Sequence, residues 1–97
     1  MDFVPIPIEQ YARLHLKANP DENAAEFLAR LRRCVADAVA GARCQCGELI
    51  WAIGSALAGH ACFTCITGES TPDKDYEIDE VLRTRYSKPT KRANNLI

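Results

Sequence analysis

Apolar side chains recur at helical spacing in the first half of this chain and in short runs in the second half. In "PIEQYARLHLKA" a helix opened by Pro7 places Ile8, Tyr11, Ala12 and His15 on one side. The following segment is the firmest pattern. Asn19 suits the N-cap, Pro20 the first helical position, and Glu22 sits three residues after the cap. Ala24, Phe27, Leu28, Leu31, Cys34, Val35, Ala38 and Val39 then keep i, i+3, i+4 spacing, while Arg30, Arg32, Arg33 and Asp37 lie largely off that stripe. Gly41 is a natural stop. Beyond it the period changes. "ELIWAI" has large apolar residues on both faces and predicts a covered strand. Gly54 and Ala58-Gly59-His60 permit a bend. "CFTCITG" predicts a second strand closed by Gly68, "ESTPDKD" a loop. "YEIDEVLR" alternates at Tyr76, Ile78 and Glu80, as in a third strand, yet also places Ile78, Val81, Leu82 and Tyr86 at helical spacing; strand is the preferred reading. The tail "SKPTKRANNLI" is polar and expected to be mobile.

These elements predict one α+β domain over residues 1–97. A helical part (7–41) packs on a small, zinc-ribbon-like antiparallel β-sheet (42–85), followed by a mobile tail (86–97). Ninety-seven residues bury only about 60–68% of their unfolded surface, so small domains often add a disulfide, metal or partner as a staple. Apolar residues are 47% and charged residues 26% of the chain, which is ordinary globular composition. A formal net charge of −1 gives no bulk attraction to nucleic acid or membrane. The first residues, "MDFVPIPIEQ", lack the basic and apolar regions of a secretory signal. No apolar run reaches the length of a membrane span. The expected location is therefore the reducing cytoplasm, where disulfides are rare.

That expectation makes the five cysteines informative. Four form two close pairs, Cys44/Cys46 and Cys62/Cys65, in the order Cys-x-Cys-Gly and Cys-x-x-Cys. Two thiolates from each of two tight turns can fill the four corners of a tetrahedral zinc site at about 2.3 Å. Gly47 lets the backbone turn tightly beside the first pair. The single residue between Cys44 and Cys46 is a tighter bite than the commoner two. The expected cofactor is one Zn²⁺ per chain held by Cys44, Cys46, Cys62 and Cys65; iron is the rival metal for four thiolates. Such a site is closed to substrate and so structural. Four thiolates with Zn²⁺ would bring the formal charge near −3. The part carrying the site is expected to lose its structure without metal.

Plainer readings compete at each position. The four thiols can be buried small hydrophobes, or Cys62 and Cys65 a redox pair. A redox Cys-x-x-Cys usually opens a helix, and the β-branched "FTCITG" predicts otherwise. His60 is a rival ligand, more simply solvated. Cys34 reads as core filler, and His15 as a helix-terminus or surface residue. Arg30, Arg32, Arg33 and Arg43 form a basic cluster, most simply a solvated helix face. The acidic residues Glu69, Asp73, Asp75, Glu77, Asp79 and Glu80 read as a soluble loop and edge strand. Arg83, Arg85, Lys88, Lys91 and Arg92 give weak support for phosphate contacts. Trp51 and Phe63 supply a contact surface or core. No Ser-His-Asp order, phosphate loop, dinucleotide fingerprint or His-Glu-x-x-His is present, so no enzyme is expected.

The stretch "CxCGxxIWxIGSAxxGxxCFTCITGExxPxxDYEID" (Cys44 to Asp79), with "YARLHLKANP" and "GARC" upstream, resembles a group of small, uncharacterised bacterial proteins over about residues 9 to 81. That resemblance implies a bacterial host and no particular chemistry. At fold level the cysteine region resembles zinc ribbons, which implies a binding module of the kind used in transcription, RNA handling and protein assembly. The expected function is thus a non-catalytic zinc protein acting as a protein-interaction or regulatory module, without a membrane partner. The alternatives are a nucleic-acid-binding zinc ribbon and a thiol redox or metal-sensing protein.

Overall fold

The computed structural model describes residues 3–87. The chain runs β1 (Val4–Ile6), α1 (Ile8–Ala18), α2 (Ala24–Val39), α3 (Ala52–Ala58), α4 (Phe63–Thr67), β2 (Tyr76–Ile78) and α5 (Asp79–Ser87). It is a mixed helical fold with one small sheet. That sheet is parallel, not antiparallel. β1 and β2 pair with Val4 opposite Tyr76, Pro5 opposite Glu77 and Ile6 opposite Ile78. Pro5 fits there because a two-stranded sheet leaves one side of each strand without a ladder. The partners lie at opposite ends of the described chain, a pairing that no local pattern announces.

Helix α1 starts at Ile8, with Pro7 at its N-cap, and α2 carries the expected buried stripe of Phe27, Leu31, Cys34, Val35 and Ala38. The cap between them is displaced by one turn. Asn19 closes α1: its side chain donates to the His15 carbonyl at 2.8 Å. Asn23 caps α2, accepting from the Glu26 N–H at 2.9 Å. Both asparagines precede a glutamate by three residues, so spacing alone could not choose; the first was consumed by the preceding helix end. Gly41 ends the helix at φ +92°, as expected.

The segments read as strands after Gly41 are largely helical. "ELIWAI" stays extended only to Trp51 and then enters α3. "CFTCITG" forms α4, with Cys62 at its N-cap and Gly68 at φ +83° after its end. "YEIDEVLR" divides, its first three residues forming β2 and the rest α5. A short buried apolar run does not reveal its period, because both faces are covered in either form. What decided α3 is its N-terminus, which is supplied from elsewhere in the chain. Glu77 of β2 is fully buried. Its carboxylate accepts from the N–H groups of Ala52 (2.8 Å), Ile53 (3.2 Å) and Ile78 (3.0 Å). Two of these are the helix-start donors that otherwise lack a partner. Burial pushes the Glu77 carboxyl up from its ordinary range, and the three N–H groups pull it partly back.

The core joins α2, α3, the sheet and α5 through Phe27, Leu31, Ile50, Ile53, Ile78 and Val81. Arg85 of α5 donates to the Ile50 carbonyl at 2.8 Å and ties the last helix to the entry of α3. Cys34 is core filler, 3% exposed. The expected mobile tail falls outside the described residues from 88 onward; residues 86 and 87 end α5. Among the described residues no helix is long and apolar enough to cross a membrane.

Candidate metal centre

The first cysteine pair sits on a tight hairpin. Ala42 and Ile50 open it, the Ile50 N–H donating to the Ala42 carbonyl at 3.1 Å. Arg43 and Leu49 form a single antiparallel bridge. The turn Cys44-Gln45-Cys46-Gly47 is closed by the Gly47 N–H to the Cys44 carbonyl at 2.9 Å. Gly47 takes φ +98°, so the expected glycine turn beside the sulfurs is present. Arg43 reaches across and donates to the Gly47 carbonyl at 2.6 Å.

The second pair is carried by α4. Cys62 occupies its N-cap and Cys65 its first turn. Trp51 and Ser55 of the preceding helix hold the approach to Cys62. The Trp51 N–H donates to the Ala61 carbonyl at 3.0 Å, and the Ser55 hydroxyl oxygen lies 3.2 Å from both the Ala61 carbonyl and its N–H. The Trp51 indole N–H donates to the Tyr76 carbonyl at 2.8 Å. Its ring stacks on Phe3 at 5.7 Å and meets Phe63 edge-on at 5.0 Å. Trp51 and Phe63 are thus an aromatic wedge beneath the site, and Phe63 is only 7% exposed.

These two supports bring Cys44, Cys46, Cys62 and Cys65 together. Their four Sγ atoms all lie within 4.8 Å of one another. Four sulfurs at about 2.3 Å from a tetrahedral metal stand about 3.8 Å apart, so the cluster has the size such an ion requires. Cys46 Sγ and Cys62 Sγ are 3.5 Å apart, and all five thiols of the chain are free. Cys44 and Cys62 are buried at 8% and 4% exposure. Cys46 and Cys65 are exposed and face an open cleft of about 610 Å³, lined also by Glu48, Cys62, Phe63, Thr64, Ser70 and Pro72.

The electrostatics fit a cation. The backbone N–H groups of Cys46 and Cys62 point at the Cys44 sulfur and lower its thiol to about 6. The Glu48 N–H pulls Cys46 down, but the Cys62 and Cys44 thiols and burial outweigh it, and its net shift is upward. Cys65 is pushed up to about 12, chiefly by Cys44, Cys62 and Cys46. The Cys44 thiolate is therefore easy to form, while Cys46 and Cys65 resist joining it in the same small volume. A divalent ion at the centre reverses that resistance, and N–H groups directed at the sulfurs are the outer support that thiolate sites use. This cluster can hold a metal ion.

The remaining sequence-derived candidates lie elsewhere. His60 is not in the cluster; its Nε2 stands 2.7 Å from Asp37 Oδ2, which holds the ring against α2. His15 is in the last turn of α1, but instead of facing solvent it stacks on Phe27 at 4.0 Å and meets Glu22 at 2.9 Å. The arginines do not converge on one surface. Arg30 bonds Glu22 and the Ala56 carbonyl, Arg32 lies 3.8 Å from Glu9, and Arg43 is spent on the hairpin. Lys88, Lys91 and Arg92 lie outside the described residues. Glu77, read as a charge on an edge strand, is instead the buried cap of α3. Its only local clue is an acid between Tyr76 and Ile78 in an apolar run.

Comparison of the chain with protein-family models, with curated proteins and with solved structures finds no match. The functional reading therefore rests on the residues and their geometry.

Proposed function

We propose that this chain is a non-catalytic zinc-binding protein that acts as an interaction or regulatory module for another protein in a reducing, cytoplasmic setting. The observation that carries this reading is the convergence of four cysteine sulfurs, from two separately built turns, within 4.8 Å. Cys44, Cys46, Cys62 and Cys65 are its ligands, with one Zn²⁺ per chain. Zinc is preferred over iron because it takes four thiolates at tetrahedral corners without needing redox chemistry. Four protein sulfurs complete the shell and leave no place for a substrate, so the metal's role is structural. A protein partner is favoured by Val4 and Tyr76, which stand side by side on the sheet at 39% and 40% exposure.

A second reading has its own observation. Cys62 opens a helix and Cys65 lies in its first turn, which is where redox-active Cys-x-x-Cys pairs are found. Cys44 and Cys46 at the same point argue for metal over redox turnover, since a redox pair needs only two sulfurs. Elemental analysis of untagged protein purified under reducing conditions, with titration of free thiols, separates the two. One zinc per chain with only Cys34 reactive supports the zinc site. No metal and five reactive thiols would refute it.

A further inference from the structure

The four sulfurs are not equivalent, and the difference has a chemical consequence. Cys44 and Cys62 are buried, whereas Cys46 and Cys65 are exposed at the head of the 610 Å³ cleft, which Cys62 also lines. The exposed Cys46 sulfur lies 3.5 Å from that of buried Cys62, across the two supports rather than within one of them. An accessible thiolate beside a second sulfur is the arrangement in which oxidation proceeds to a disulfide. Building on the zinc reading, we infer that the centre is a peroxide-sensitive metal switch, in which oxidation joins Cys46 to Cys62 and expels the ion.

The steps balance. The Cys46 thiolate attacks one oxygen of hydrogen peroxide; the O–O bond breaks, the other oxygen leaves as hydroxide and takes a proton to become water. Cys46 is then a sulfenic acid. The Cys62 thiolate attacks that sulfur, the S–S bond forms, the S–O bond breaks, and a second hydroxide leaves and is protonated. Two thiolates are oxidised by two electrons and one peroxide is reduced to two waters. Zinc keeps only Cys44 and Cys65, two ligands where a structural site needs four, and departs. A dithiol reductant reverses the disulfide and restores the site.

The pairing is the discriminating feature. Sequence spacing suggests a Cys62–Cys65 disulfide within the Cys-x-x-Cys; the 3.5 Å contact points to Cys46–Cys62. The protein would first be loaded and its zinc measured, which decides the zinc reading by itself. The loaded protein is then exposed briefly to hydrogen peroxide, quenched in acid, alkylated, digested and mapped, with zinc release followed by a chromogenic chelator. The expected result is loss of zinc in step with loss of two thiols, a Cys46–Cys62 peptide as the dominant cross-link, and Cys34 still reduced. Retention of zinc and thiols at peroxide levels that oxidise free glutathione would overturn the inference while leaving the zinc site standing. A dominant Cys62–Cys65 cross-link would overturn it too. The Cys65→Ser variant, treated with peroxide with or without zinc, is expected to form the same cross-link; its failure to do so would overturn the assignment.

Discussion

Withdrawing the metal should loosen two segments and spare the rest. The hairpin tip at 43–49 is held by one antiparallel bridge and a tight turn. Helix α4 has five residues, far below the about 12–15 at which an isolated helix is even marginal in water. Neither contributes a cysteine ligand to the core that joins α2, α3, the sheet and α5. Zinc bound to four thiolates is worth about 10–16 kcal/mol, as large as or larger than the about 5–15 kcal/mol that holds a small domain folded. With zinc bound, these amides should open only with the whole protein. Without it, local opening should cost about 0–1 kcal/mol. Taking the lower end of the global range, the difference is about 4 kcal/mol, or about a thousandfold in amide protection. The assay is hydrogen exchange on the zinc-loaded and chelator-treated protein. The amides of Cys44, Gly47, Ile66 and Gly68, whose acceptors lie inside the two segments, should lose protection. Those of Ser55 and Gly59 in α3, and of α2, should keep theirs. The sequence predicts loss across 42–85; membership of Ile50, Ile53, Ile78 and Val81 in the core confines it. Unchanged protection in α4, or loss in α2 together with α4, would refute the reasoning.

Replacing Glu77 by alanine strands three buried N–H donors, so the loss expected in urea unfolding is about 3–5 kcal/mol; a loss below about 1 kcal/mol would show that the cap is dispensable. Glu77→Gln should cost less, because an amide keeps one acceptor oxygen but turns a donor toward another donor. Gly54→Ala gains about 1 kcal/mol of helix propensity, yet a Cβ there would overlap Trp51 Cε3 and stand 2.7 Å from Ile66 Cδ1. Trp51 is pinned by its bond to Tyr76 and by Phe63, so overpacking of about 1–3 kcal/mol should prevail, read as a lower Tm and a shifted Trp51 fluorescence. Zinc affinity should rise with pH. Cys46 and Cys65 sit above the usual thiol value before binding and must give up their protons, so competition titrations near pH 7 should show a gain of about a hundredfold or more per pH unit. An affinity flat with pH would contradict thiolate ligation.

The sequence by itself determined the long helix, its buried stripe and its glycine stop, because an i, i+3, i+4 pattern over sixteen residues has one geometry that buries it. It also marked the four cysteines, since two close pairs of thiols are a local signature. It did not determine what lies between and after them. "LIWAI" is apolar on both sides, so it carries no period to read, and "CFTCITG" is too short for its few buried positions to set one. Only the tertiary structure decided that they become α3 and α4, and for α3 the means is a carboxylate arriving from β2 to satisfy the N–H groups of Ala52 and Ile53. Likewise Val4–Ile6 became a strand only by meeting Tyr76–Ile78 from the far end of the described chain. The unequal exposure of the four sulfurs, and the nearness of Cys46 to Cys62 across the two supports, also belong to packing. Spacing records which groups can reach one another, while the supports beneath them set which ones meet and which face water.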